Sequence, residues 1–130
     1  MAFPPLTGPG AQVIKDNMVE ASQHSYGRNM APPQTYLWFY EKVRNNGPWD
    51  YKQQNRLWAE FGNFNYGATG TAAGIPENIL LQAAGVAQWV AGTSNTAKWG
   101  YFFEKPPYGD DPEDQRAIRE GIAYAHQCGF

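Results

Sequence analysis

The run Gly67-Ala-Thr-Gly-Thr-Ala-Ala-Gly74 constrains this chain more than any other stretch. Gly67, Gly70 and Gly74 interleave with Ala68, Ala72 and Ala73, which places small residues along one side of a helix and lets another backbone approach closely. A fold built around such a stripe needs a partner helix to fill the space. With 130 residues the chain makes one domain and buries roughly two-thirds of its unfolded surface, enough for a core without disulfide or metal staples. Its single cysteine, Cys128, rules out an internal disulfide and a cysteine-based zinc site.

Charge narrows the class further. Ten basic residues stand against 12 acidic ones, and the basic residues are spread along the chain with no cluster denser than Lys42 and Arg44. The basic field expected of a nucleic-acid binder is missing, although a local basic cleft is still compatible with the count. No apolar run approaches the ~20 residues of a membrane helix, so stable membrane insertion is not expected. The opening Met-Ala-Phe-Pro-Pro has neither the basic flank nor the apolar run of a signal peptide.

Residues 1–10, with three prolines and two glycines, read as a lead-in or linker, and residues 11–130 as the domain proper. Ala11, Ile14, Met18 and Ala21 form one stripe of a first helix. A second is predicted from Thr35, capped by it, with Leu37, Tyr40 and Val43 facing inward. Residues 48–66 lack periodicity and read as a compact irregular segment rich in aromatic residues and Asn. A further helix starts around Ile75-Pro76-Glu77, where Gly85 costs about 1 kcal/mol relative to Ala unless close packing offsets it. Trp99, Tyr101, Phe102 and Phe103 are apolar anchors in a loop or short strand. Asp111 as cap, Pro112 in the first position, and Glu113 and Asp114 in the first turn mark the start of the last helix. The sum is a mainly α, compact single domain of four to five helices, lysozyme-like in outline.

Phosphate-binding loops, dinucleotide fingerprints, His-Glu-x-x-His and Gly-x-Ser-x-Gly are all absent. What stands out is the segment from Val43 to Lys52, then Glu60-Phe-Gly-Asn-Phe-Asn-Tyr-Gly67, Gln88, and Gly109-Asp-Asp-Pro-Glu-Asp-Gln115. These segments resemble the bacterial polymorphic toxin type 44 domain, whose members carry a Gly-x-Trp-Asp-Tyr-Lys block, a Phe-Gly-Asn-Phe-Asn-Tyr-Gly block, an Ala-Gly-x-x-Gln helix end and a Gly-Asp-x-x-x-Asp-Gln helix start. The likeness runs from about Tyr36 to Tyr124, with Asn46 standing where a glycine is common. It implies an antibacterial effector module at the end of a larger secreted carrier, delivered into competing bacteria and held in check by a cognate immunity protein.

The chemistry is read from the residues. Asp50 and Glu60 bracket the aromatic block, each beside Trp or Phe. Paired carboxyls in unlike surroundings are suited to glycan hydrolysis, one as acid and one as base or nucleophile. Trp49, Tyr51 and Tyr66 offer faces for a sugar, and Asn63, Asn65, Gln88 and Arg44 offer hydrogen bonds. Peptidoglycan, met in the target periplasm, is the fitting glycan. A ribonuclease acting in the target cytoplasm is the alternative, with Lys52, Arg44 and Arg56 on phosphate and Asp50, His24 or His126 moving protons. Each candidate also has a plain structural reading: the aromatics as core, Asp50 paired with Arg44 or Lys52, and Glu60 as an exposed helix residue. Asp110 and Asp114 form a secondary site or simply a dipole-matched helix start. No cofactor and no metal are expected; were a metal bound, Asp110 and Asp114 would be the better oxygen ligands.

Overall fold

The computed structural model describes residues 1–90 and 110–130, with the side chains of 86–90 excepted. Trp99, Tyr101, Phe102, Phe103 and the side chain of Gln88 lie outside the described residues. The elements are α1 (Ala11–Ser22), α2 (Pro33–Val43), the one-turn α3 (Tyr51–Gln54), a 3₁₀ turn (Arg56–Trp58), α4 (Ala59–Ala72), α5 (Glu77–Val90) and α6 (Pro112–Gln127). Among the described residues there is no strand, and the domain is mainly α, as its sequence predicts.

The small-residue stripe does what its composition requires. Gly67 lies against the backbone of Ile118, and Gly121 against the backbone of Phe64 and Ala68, so a Cβ at either position would drive into a carbonyl oxygen. α4 and α6 therefore cross backbone to backbone, with Phe61, Phe64, Ala68, Ile118 and Ile122 packed around the crossing. α1 adds Ile14, Met18 and Ala21 to the same core, on the stripe read from its periodicity.

Residues 48–66 are not irregular. All but Pro48, Trp49, Asp50 and Asn55 belong to α3, the 3₁₀ turn and α4, and α4 continues without a break from Ala59 to Ala72. Its Gly and Asn residues are poor helix formers, so local propensity points away from a helix that the contact with α6 makes favourable. The hydroxyls of Thr69 and Thr71 are satisfied within the helix, donating to the carbonyls of Asn65 and Gly67 at 2.6 and 2.8 Å.

α2 also differs from expectation. Its cap position is Pro32, and Thr35 is buried within the helix, its hydroxyl donating to the His24 carbonyl at 2.6 Å. Thr35 and Phe39 face the core while Leu37 and Tyr40 are exposed. The turn that follows places Asn46 in the left-handed region at φ 65°, a conformation that suits Asn or Gly. The lead-in lies along the domain: Ala2 exchanges two hydrogen bonds with the Gln127 side chain at 2.7 and 3.1 Å, and Gly8 packs on the Phe61 ring.

Candidate active site

The start of α6 is built as its sequence indicates. The Asp111 side chain accepts the Glu113 N–H at 2.8 Å, and Pro112 fills the first helical position. Immediately before it, Asp110 is only 2% exposed. Its Oδ1 accepts the Asp111 N–H at 2.9 Å and its Oδ2 accepts Nε2 of the fully buried Gln115 at 3.0 Å. The same Nε2 donates to the Leu81 carbonyl at 3.1 Å, tying α6 to α5. Tyr66 makes the matching tie from α4, its hydroxyl donating to the Leu80 carbonyl at 2.6 Å.

Two further elements reach toward the carboxylates. Lys52 on α3 is within electrostatic reach of both Asp110 and Asp114, and Asn63 on α4 is near enough to the Asp114 carboxyl to favour its charged form. Burial pushes the Asp114 carboxyl up to about 6, reinforced by the charges of Asp110 and Asp111 and opposed by Lys52 and Asn63. Burial also raises Asp110, against the pull of its two hydrogen bonds and Lys52. Tyr66 is held well above the ordinary phenol value by burial and then by the Asp110 charge. A helix N-terminus ordinarily favours carboxylate ions; here desolvation and mutual repulsion outweigh it. Asp114 is thus a half-buried carboxyl raised well above the ordinary carboxylate range, the direction in which a general acid is tuned.

The expected pair of Asp50 and Glu60 takes separate partners. Asp50 is buried and its Oδ2 accepts the Asn46 N–H at 2.8 Å, closing the turn after α2. Glu60 is 55% exposed and pairs with Arg116 at 3.3 Å, in a surface network with Glu113 and Glu120. Arg44 pairs with Glu41 at 3.2 Å on the surface. The aromatic residues expected as sugar platforms lie in the core: Trp49 sits edge-on to Trp38 with Lys42 above its ring, and Tyr51 sits edge-on to Phe61. Aromatic flanks around Asp50 and Glu60 signal the packing of their neighbours.

Asn65 is fully buried, its Oδ1 accepting from Asn17 at 3.0 Å, and the same Asn17 amide donates to the Tyr51 hydroxyl at 2.8 Å. Neither histidine joins the carboxylates through a described contact. His24 stacks on Trp38 at 3.9 Å between ring centres, and His126 lies three turns along α6 from Asp114, about 18 Å at 1.5 Å per residue. Two open clefts of about 330 and 400 Å³ flank Arg28, and neither has Asp110 or Asp114 in its walls. Among the described residues no three His, Cys, Asp or Glu side chains group to hold a metal ion, and no helix is long and apolar enough to cross a membrane.

Of the expected site residues, then, Lys52, Asn63, Tyr66, Asp110 and Asp114 come together. Gln115 joins them, a residue whose sequence signal was its place in the Gly-Asp-x-x-x-Asp-Gln block and to which no role attaches from sequence alone. No curated protein and no solved structure matches the chain. A family model described as bacterial toxin 44 matches residues 54–127, more than half of the chain. That span holds Asn63, Tyr66, Asp110, Asp114 and Gln115, with Lys52 just before it. The chain belongs to the bacterial toxin 44 family and is a bacterial toxin domain.

Proposed function

We propose that the domain is a hydrolase that kills by cutting the glycan strands of peptidoglycan, and that Asp114 is its proton donor. The observation that carries this is the burial of Asp114, which pushes its carboxyl up to about 6, beside the more deeply buried Asp110, two carboxyls in unlike surroundings of the kind glycan hydrolysis uses. Asn63 orients the acid, and Lys52 offers a cation to the reacting region. The leaving-group oxygen takes the Asp114 proton as the glycosidic bond breaks; the oxygen of an incoming water then bonds to the anomeric carbon, and its proton returns to the Asp114 carboxylate. Delivery into target bacteria, action in the periplasm, attachment to a larger carrier and neutralisation by an immunity protein belong to the same reading. Lys52 supports a second reading, in which it holds a phosphate of RNA while Asp114 moves the proton.

Expression in a sensitive bacterium, once directed to the cytoplasm and once to the periplasm, tests both readings. Killing from the periplasm alone, with rounding or lysis that Asp114→Asn abolishes and muropeptides altered to match, is the expected result. Killing from the cytoplasm alone with cell shape intact sinks the wall reading and leaves the RNA reading, in which Lys52→Ala is as damaging as Asp114→Asn.

A further inference from the structure

Gln115 is fully buried and both hydrogens of its Nε2 are used, one on Asp110 Oδ2 at 3.0 Å and one on the Leu81 carbonyl at 3.1 Å. Those two bonds fix which way round the amide sits, because turning it over would set Oε1 against a carboxylate oxygen and a carbonyl oxygen together. Oε1 is left in the interior with no partner among the described residues. An apolar side chain of the same shape would fill the space but strand two acceptors, the Asp110 carboxylate oxygen and the Leu81 carbonyl. The amide nitrogen thus holds the Asp110 carboxylate and the Leu81 carbonyl together.

The groups facing Asp110 are Asp111, Asp114 and Gln115 from its own end of α6, Lys52 from α3 and Tyr66 from α4. Of these, Gln115 and the Asp111 N–H donate directly, one to each carboxylate oxygen. We propose that Gln115 is a positioning residue for Asp114: by clamping the Asp110 carboxylate to the Leu81 carbonyl it keeps Asp110 the anion of the pair and leaves the proton on Asp114. Without the clamp, the more deeply buried Asp110 is the worse place for the negative charge. The proton then moves to Asp110, and Asp114 becomes an anion with nothing to donate. This inference rests on the reading of Asp114 as proton donor, and its test needs no substrate.

The side-chain carboxyls of the whole 130-residue chain, labelled with ¹³C at aspartate, are followed by NMR from about pH 3 to pH 9. In Gln115→Met the Asp114 midpoint falls by on the order of one pH unit while that of Asp110 rises. Asp110→Asn lowers the Asp114 midpoint in the same way, and adding Gln115→Met to it produces no further shift. An unmoved Asp114 midpoint in a folded Gln115→Met chain overturns the proposal, as does an undiminished effect of Gln115→Met in the Asp110→Asn background. Should Gln115→Met not fold, the wild-type chain still decides. Its Gln115 side-chain amide signal stays in place through the Asp114 transition and moves only at lower pH, when Asp110 takes its proton. A signal that follows Asp114 is the contrary result. The reading on which this rests fails separately, if Asp114→Asn still kills.

Discussion

Replacing Asp114 by Asn makes this domain more stable at neutral pH while removing its proposed acid. In the folded chain Asp114 is pushed up to about 6 from an ordinary 3.8, first by burial and then by the charges of Asp110 and Asp111. A carboxyl raised on folding stabilises the folded state fully only below its unfolded value, and that contribution is lost as the pH climbs through the folded value. The rise of roughly two units is worth about 3 kcal/mol, which solvent screening at a half-buried group reduces to about 2 kcal/mol. Asn has the same shape and keeps an amide or carbonyl for Asn63. At about pH 8, Asp114→Asn should therefore resist unfolding by about 2 kcal/mol more than the wild type, a rise of about 6–10 °C in Tm for a chain of this size. Near pH 3.5, where the wild-type carboxyl carries its proton in both states, the two proteins should unfold together. Urea titrations and thermal melts across this pH range measure the gap. A variant no more stable than the wild type at pH 8, or a gap that persists undiminished at pH 3.5, refutes the reasoning.

Other substitutions test other links. Gly67→Ala and Gly121→Ala each set a methyl against a carbonyl oxygen of the facing helix, so each should cost about 2 kcal/mol or more in urea unfolding, from a backbone that has no side chain to move aside. Asn46→Gly relieves a left-handed residue at φ 65° and should leave stability unchanged or raise it by about 0.5 kcal/mol, read from the same titration. Glu60→Gln removes one exposed ion pair with Arg116 and should change stability by less than about 0.5 kcal/mol while killing as well as wild type, whereas Asp114→Asn should not kill. Asp50→Ala strands the Asn46 N–H and should cost about 1 kcal/mol in stability, with killing retained in the folded protein.

The parts of the fold legible in the sequence are those whose cause is local or strongly periodic. The start of α6 is written in Asp111, Pro112, Glu113 and Asp114, and the inner face of α1 in the spacing of Ile14, Met18 and Ala21. The glycine stripe announced a close helix crossing, though the partner, Gly121 on α6, is settled only by folding. Over Ala59–Tyr66 the helix α4 is not legible, because its residues disfavour a helix by themselves and take that form against α6. The inner face of α2 is not legible from apolar spacing, because Thr35 buries its hydroxyl on the His24 carbonyl while Leu37, the more apolar residue, stays in water. The candidate site was legible as residue types but not as a grouping. Asp50 and Glu60 stand out in the sequence only through their aromatic neighbours, whereas Lys52 and Asp114 are far apart in the chain and meet only when α3, α4 and α6 pack. Burial, the main cause of the Asp114 shift, is likewise a property of the packed helices.

The crossing of α4 and α6 acts as a gauge for the site. Asn63 lies one helical turn before Gly67, and Asp114 one turn before Ile118, whose backbone meets that glycine. Between these two turns the spacing is fixed by main-chain atoms in contact, and main chain has no rotamers to relax into. Side chains around the crossing can be exchanged without altering the span between the two helices, while any atom added at the crossing lengthens it. Sequence drift in this domain is therefore free to recolour the surroundings of Asp114 but not to resize them. The separation of the turns that carry Asn63 and Asp114 is inherited from the two glycines.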